Sequence, residues 1–323
     1  MRIEITPGAA DDPDAHQWLD RILHKIEDGW HVWDTTRLLY PDEIEATTWV
    51  RERGIQGDWV REFLVTSIKR DAWTLAPHER RIRVTTLPAM ADELKPEDAA
   101  RLAEEPLVIL VENRISDGAF VKRIVTELDR ALHRLLGCPG EPVRFDSLGG
   151  TGQMLDEIER RTRRGQVQPR LVVIMDSERK GPADSESGEA RAVRRKCEQR
   201  EVACWILAKR EAENYLPRVL LDARPDSGPD YFRLVEAWSR LNDDQKDFFD
   251  MKKGLSDEPS QTERELFVEL SLVDREILSN GFGSEVHQCW NVWNIQDNAA
   301  KAGLLRRGRD DLERGVELIR KEV

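Results

Sequence analysis

The stretch Leu107-Val-Ile-Leu-Val-Glu-Asn-Arg-Ile-Ser-Asp117 decides the fold. A continuous apolar run of this length is typical of a strand that is buried on both faces of a parallel sheet. The run ends abruptly at Glu112, and Asp117 opens a predicted helix. Ligands of open α/β sheets bind at the carboxyl ends of such strands. The two acids therefore mark a candidate site.

The same pattern recurs about sixty residues later, where Leu171-Val-Val-Ile-Met175 is followed by Asp176-Ser-Glu178. A third pair of acids, Glu211-Ala-Glu213, follows a further predicted strand. Grouped carboxylates raise one another's pKa values and cost stability unless a cation is present. If the first two strands are adjacent, the acids would form one pocket suited to a hard divalent cation such as Mg²⁺.

The central part of the chain alternates between predicted strands and helices. After strand 107–111 the pattern predicts helix Asp117–Leu136, strand Val143–Phe145, helix Met154–Arg164, strand 171–175, helix Glu189–Arg200 and strand Val202–Leu207. This alternation predicts an α/β fold, with a central parallel sheet and helices on both of its faces.

The chain divides into three predicted regions. Residues 1–105 hold six of the ten tryptophans and are predicted to form a separate α+β domain for contact with a partner or substrate. Clustered tryptophans are usually core residues, and an exposed platform for bases or a partner is the alternative. Residues 106–217 form the predicted catalytic domain, and residues 218–323 are predicted to be a helical extension that packs on it.

Composition excludes several classes of protein. The net charge is −12, and residues 1–105 carry 14 basic and 22 acidic side chains, which argues against non-specific coating of nucleic acid. No apolar run reaches the roughly 18 residues of a membrane span, and the N-terminus lacks the pattern of a secretion signal. The four cysteines form no C-x-x-C pair, so reduced thiols and a cytoplasmic location are expected. None of the six histidines lies in the acidic motifs.

These acidic motifs resemble those of the topoisomerase–primase (TOPRIM) fold, and more narrowly the overcoming-lysogenization-defect family of nucleases. The resemblance covers about residues 106–217 and rests on Val111-Glu112, Ser116-Asp117, Asp176-Ser-Glu178, Glu213-Asn-Tyr-Leu216 and the glycine turn Gly149-Gly-Thr-Gly152. Two features depart from the family pattern. Five steps instead of four separate Glu112 from Asp117, and Glu178 replaces the second aspartate of an Asp-x-Asp.

The resemblance implies a role for each acid. Glu112, Asp117, Asp176, Glu178 and Glu213 would hold one or two Mg²⁺ or Mn²⁺ ions, with Glu211 as a further ligand. Of these, Glu112, Asp176, Glu178 and Glu213 are the expected catalytic acids. The family also uses a lysine beyond the last motif; Lys253 is the first candidate, and Lys252 and Lys301 are the alternatives.

Basic side chains are candidates for contact with nucleic-acid phosphates. They lie in two helices and comprise Arg160, Arg161, Arg163, Arg164, Arg194 and Arg195. For the first four, the alternative is that cations are favoured at a helix C-terminus by the dipole and by solubility alone.

We therefore expect a metal-dependent endonuclease that acts on DNA. The resemblance further implies a bacterial anti-phage role with a separate ATPase subunit, because the chain has no Gly-x-x-x-x-Gly-Lys-Ser/Thr loop of its own. Three alternatives remain open: a ribonuclease with a tRNA-type substrate, a topoisomerase or a primase, and a non-catalytic interaction subunit. The topoisomerase needs a tyrosine for covalent attack, which would be Tyr40, Tyr215 or Tyr231. A homo-oligomer is compatible with the sequence.

Overall fold

The computed structural model describes residues 1–36, 42–73, 80–163, 168–224, 228–292 and 297–323. It contains two four-stranded sheets in which every neighbouring pair of strands is parallel, and helices flank both sheets. The predicted α/β class is confirmed. No helix among the described residues is both long and apolar enough to cross a membrane.

The N-terminal sheet has the strand order β2-β1-β3-β4. Its strands are β1 (Arg2–Ile5), β2 (Val32–Trp33), β3 (Arg81–Val84) and β4 (Glu93–Leu94). Its helices are α1 (Pro7–Ala10), α2 (His16–Glu27), α3 (Asp42–Glu45), α4 (Thr48–Arg51), α5 (Ile55–Trp73) and α6 (Pro96–Glu104), and a 3₁₀ turn spans Pro13–Ala15. Of these four strands the sequence indicates only β3, as a possible strand over Arg81–Thr86.

The N-terminal sheet has a hydrophobic core of its own, which runs from Met1 to Ala103. Trp33 and Trp49 are fully buried in it with their rings 5.9 Å apart, and Trp18 and Trp59 pack against its edge. These tryptophans are core residues, as their clustering usually indicates.

The central sheet has the strand order β6-β5-β7-β8. Its strands are β5 (Leu107–Val111), β6 (Val143–Ser147), β7 (Leu171–Met175) and β8 (Ala203–Ile206). All four strands were predicted, with ends that differ by at most two residues. β5 and β7 are neighbours, with Ile109 opposite Val172, so the expected adjacency of the two apolar runs is confirmed.

Helices cover both faces of the central sheet. α9 (Thr151–Thr162) and α10 (Gly188–Gln199) pack on one face, and α7 (Ser116–Leu128) packs on the other. The prediction of one helix from Asp117 to Leu136 was wrong: α7 ends at Leu128, and α8 (Arg130–Leu136) begins anew. The reason is Asp129, whose carboxylate caps α8 by accepting hydrogen bonds from the backbone N–H groups of Ala131 and Leu132.

The C-terminal region is helical and shares the core of the face that α7 covers. It comprises α11 (Arg218–Asp222), α12 (Pro229–Arg240), α13 (Asp243–Phe248), α14 (Gln261–Leu266), α15 (Leu272–Leu278), a 3₁₀ segment (Ser284–Asn291) and α16 (Asp297–Glu322), which is kinked at Gly308. Trp290 contacts Phe120 of α7, with 5.1 Å between the ring centroids. α13 and the turn after it lie at the carboxyl edge of the sheet, where the Asn214 side chain bonds the carbonyl oxygens of Lys246 and Phe249.

Candidate metal centre

The candidate site lies at the carboxyl ends of β5, β7 and β8. Glu112 follows β5 directly, Asp176 follows β7, and Glu211 and Glu213 come shortly after β8. Because these three strands are parallel neighbours, their carboxyl ends meet at one edge of the sheet. Residues that are far apart in the sequence are thereby brought to one place.

A 3₁₀ turn (Ala212–Tyr215) positions the two glutamates. The Asn214 side chain fixes this turn: its Oδ1 accepts from Glu211 N (2.9 Å), and its Nδ2 donates to the carbonyl oxygens of Lys246 and Phe249. The turn is joined to β7 by Ala212 N, which donates to Asp176 Oδ1 at 2.9 Å. The buried Asn214 amide thus joins the turn to α13 and to Phe249, the residue after that helix.

Three carboxylates form the inner group of the site. One oxygen each of Asp176, Glu211 and Glu213 lies within 4.8 Å of the other two, so this group could hold a metal ion. Asp176 is half-buried, and the two glutamates are buried. Such hard oxygen ligands are those that Mg²⁺ and Mn²⁺ prefer.

Glu213 gives the clearest indication that a cation belongs here. Its side chain is completely buried, and its described charge partner is the Lys252 ammonium, which lies 3.0 Å from Oε2 without hydrogen-bond geometry. A buried carboxylate that accepts no well-directed hydrogen bond is costly, and nearly all buried polar groups in proteins are satisfied. A coordinated cation would remove this cost, so the residues present fit a metal ion.

A lysine approaches the inner group, but it is Lys252 and not Lys253. Lys252 Nζ lies 3.0 Å from Glu211 Oε2 and 3.0 Å from Glu213 Oε2. Burial disfavours its charged form, yet the carboxylates of Glu211, Glu213 and Asp176 outweigh burial and raise its pKa.

The preference for Lys253 is therefore revised. Its side chain is exposed, and only its backbone N–H has a described hydrogen bond, donated to Asp250. Lys301 is also exposed, on α16. The turn after α13 directs Lys252 towards the carboxylates and leaves Lys253 exposed. A sequence pattern does not predict the geometry of this turn.

Three further acids lie at the same carboxyl edge of the sheet. The Asp117 carboxylate is fixed by Asn113 N (2.8 Å) and by Ser116 Oγ (2.8 Å). Glu112 and Glu178 are exposed, and Glu178 adopts a left-handed backbone conformation with φ of +53°. This conformation is uncommon for a residue other than glycine and recurs at functional sites.

Asp117 interacts electrostatically with Asp176 of the inner group, and Glu112 interacts with Asp117 and Glu178. Burial raises the pKa of Asp176 well above its ordinary value, and the charges of Asp117 and Glu213 raise it further. Burial, followed by the charges of Asp117, Glu178 and Glu189, raises the pKa of Glu112.

Burial also raises the pKa of Asp117, and burial together with the Glu213 charge raises that of Glu211 to about 7. Glu189, at the start of α10, was not identified from the sequence because no motif contains it. Raised carboxylate pKa values in a shared pocket are a mark of functional sites.

The predicted nucleic-acid arginines are mostly engaged with acids. Arg160 and Arg161 bond Glu157, Arg163 bonds Glu159, and Arg194 bonds Glu186. Arg195 is exposed, with no partner among the described residues, and Arg164 lies outside the described residues. The ion pairs in α9 favour the structural explanation for that group.

The tyrosines were considered as covalent nucleophiles. Tyr215 is completely buried, and its hydroxyl donates to Asp311 and accepts from the backbone of Ala208 and Lys209. Tyr231 donates to the carbonyl oxygen of Leu221. Tyr40 lies outside the described residues. Packing accounts for Tyr215 and Tyr231.

A comparison with protein-family models, with curated proteins and with solved structures found no match to this chain. The function is therefore inferred from the residues of the site.

Proposed function

We propose that this protein is a cytoplasmic metal-dependent nuclease with a TOPRIM-like central domain, and that it hydrolyses phosphodiester bonds in DNA. The observation that carries the proposal is the completely buried Glu213 carboxylate, which lies beside Asp176 and Glu211 and shares with Glu211 a single described cation, Lys252. A cluster of carboxylates with raised pKa values and no arginine partner is suited to a divalent cation.

The ligands would come from both sides of the pocket. Asp176, Glu211 and Glu213 would hold one Mg²⁺ or Mn²⁺ ion, and Glu112, Asp117 and Glu178 would contribute to that site or to a second one. Bound divalent cations supply a water of lowered pKa and positive charge for the departing oxygen of a phosphodiester.

The protein's own groups have separate tasks in this proposal. Asn214 and Asn113 hold the acids in place through the hydrogen bonds described above. Lys252 offsets negative charge beside the carboxylates and would do the same for the phosphate that develops charge in the transition state. Exposed Glu112 and Glu178 lie on the side from which a substrate would approach.

The wider role follows from the family resemblance. We propose that the nuclease is the effector of an anti-phage defence system and works with a separate ATPase. Support comes from the lack of a phosphate-binding Gly-x-x-x-x-Gly-Lys-Ser/Thr loop in the chain. Co-purification with the product of an adjacent ATPase gene tests this part.

The activity is tested by incubating purified protein with supercoiled DNA, linear DNA and tRNA, with Mg²⁺ or Mn²⁺ and with or without that ATPase. We expect DNA to be nicked or cut, and the Asp176→Asn variant to leave it intact. Asp146→Asn is the matched control, since Asp146 lies near the end of β6 but pairs with Arg144 and Arg161. Cleavage of tRNA alone would reassign the substrate, and intact nucleic acids throughout would leave an interaction subunit.

A further inference from the structure

A second feature of the same sheet edge is a cleft of about 450 Å³ beside the end of β8. Its walls come from the loop after β7, the first turns of α10, and α16. Four arginines contribute to the lining: Arg179, Arg191, Arg194 and Arg314. In a chain with a net charge of −12, such a concentration of arginines in one cavity is unexpected.

The three acids of the cleft are already occupied by protein donors. Asp311 accepts from Trp205 Nε1 (3.0 Å), Ala208 N (3.0 Å) and the Tyr215 hydroxyl. Glu186 pairs with Arg194, and Asp184 accepts from the Thr262 hydroxyl.

The remaining arginines have no carboxylate partner in the part of the chain that the structure describes. Arg179 is held by the carbonyl oxygens of Asp184 (2.8 Å), Ala208 (3.1 Å) and Pro182. Arg191 donates to the Ser185 hydroxyl, a neutral partner, and Arg314 is exposed. With four arginines and three acids the cleft lining has a net charge of +1, and Arg179, Arg191 and Arg314 form no described ion pair with an acid of the cleft.

The cleft and the metal centre share two loops. Arg179 directly follows Glu178, and Ala208 lies three residues before Glu211. Glu178 N donates to Arg210 O at 2.9 Å, and this bond ties the two loops together. A ligand in the cleft would therefore have a fixed position relative to the carboxylates.

We propose that this cleft binds the phosphate backbone of the nucleic-acid strand that the metal centre cuts. Guanidinium groups bind phosphate oxygens in a bidentate manner, and such contacts position a strand without reading its sequence. The inference rests on the proposed function for the identity of the ligand. A free mononucleotide has the same phosphate chemistry, but no aromatic side chain lines the cleft to stack its base.

Binding is measured by fluorescence anisotropy with a labelled oligonucleotide of about 20 nucleotides, in a chelator so that no cleavage occurs. The test variant is Arg191→Ala/Arg314→Ala. The control is Arg233→Ala/Arg306→Ala, which removes two exposed arginines that are not part of the cleft lining.

For the cleft variant we expect binding to weaken on the order of tenfold at 0.1 M salt. Its slope of log K against log salt should fall by about 1.4, since each phosphate contact on a single strand contributes about 0.7. The control should bind as the wild type does. In the cleavage assay the cleft variant should have a raised KM and an unchanged kcat.

Two results would overturn the inference. One is equal loss of binding in both double variants, or in neither. The other is saturable binding of a mononucleotide such as dTMP that depends on Arg191 and Arg314 while oligonucleotide binding does not. Asp176→Asn separates the two proposals, because it should abolish cleavage and leave oligonucleotide binding in chelator unchanged.

Discussion

The two sheets of this protein have the same number of strands and the same parallel arrangement. They differ in whether their acidic side chains are paired with arginines. In the N-terminal sheet, Asp34 pairs with Arg2 at 3.1 Å, and Arg83 contacts both Glu4 and Glu93. In the central sheet, Asp176, Glu211 and Glu213 share one lysine and have no arginine partner among the described residues.

The pKa values record this difference. Burial opposes ionisation of Asp34, but hydrogen bonds from Arg2 and Thr36 overcome it and lower its pKa to about 2. Burial and the Glu213 charge raise the pKa of Glu211 to about 7. The presence of acids does not distinguish a structural cluster from a site, whereas a shortage of cations does: here one described lysine serves three carboxylates.

The largest expected difference between the sheets is in activity. Asp176→Asn should lower the rate of cleavage by about 10³-fold, because loss of roughly 4 kcal/mol of transition-state stabilisation corresponds to that factor. Asp34→Asn should leave the rate per folded molecule unchanged. Rates are measured on plasmid DNA and normalised to the folded fraction by circular dichroism. Equal losses of cleavage rate in both variants would show that the acids of the two sheets do not differ in function.

The second difference is in stability without metal. Asp34→Asn leaves Arg2 buried with a neutral partner and should lower the free energy of unfolding by about 3 kcal/mol. Asp176→Asn removes one of several like charges and should leave stability unchanged or raise it. Urea unfolding in a chelator measures both. Destabilisation by Asp176→Asn of the same size as by Asp34→Asn would contradict the account.

The third difference concerns pH. The raised pKa of Glu211 means that the folded protein binds its proton more tightly than the unfolded chain. Stability in chelator should therefore fall, by about 2 kcal/mol, as pH rises from about 5 to about 7. The lowered pKa of Asp34 has the opposite sign: its contribution is present above about 3.8 and is lost as pH falls towards about 2.

Glu211→Gln should reduce the fall in the free energy of unfolding between pH 5 and 7. Asp34→Asn should reduce only the loss of stability at acid pH, as pH falls below about 3.8 towards about 2. Chemical denaturation at half-unit steps of pH measures the two pH ranges separately. A profile that rises from pH 5 to 7 in the wild type is incompatible with the assigned cause.

The smallest difference concerns neighbouring lysines. Lys252→Met removes an ion pair with Glu211 and Glu213 and should cost about 1.5 kcal/mol in chelator. Lys253→Met alters an exposed side chain and should change stability by less than about 0.5 kcal/mol. Unfolding curves of the two variants, recorded side by side, check the choice of Lys252. A larger cost for Lys253→Met reverses that choice.

The central sheet was predictable because its strands are continuous apolar runs. Leu107–Val111 and Leu171–Met175 are buried along their whole length, and the acids that end them come together because parallel neighbouring strands end at one edge. β1 was missed because buried Arg2 and Glu4 alternate with its isoleucines, and cross-strand ion pairs make that burial tolerable.

Other features of the structure could not be predicted because they depend on tertiary contacts that a local sequence pattern does not reveal. The break between α7 and α8 comes from the Asp129 side chain, which a continuous helical pattern conceals. The choice of Lys252 depends on a turn held by Asp250 and Glu211. The arginine cleft joins Arg179, Arg191 and Arg314 from three elements, so no local motif reveals it.

The most direct test of the account is the binding of Mn²⁺ or Mg²⁺ to metal-stripped protein at pH 7.5, measured by calorimetric titration and by thermal shift. We predict saturable binding, and a rise in Tm of about 5 °C at an ion concentration near 100 times Kd. Both should be lost in Asp176→Asn and kept in Asp146→Asn. If the wild type and Asp176→Asn gave the same titration and the same Tm, these carboxylates would not be a metal centre.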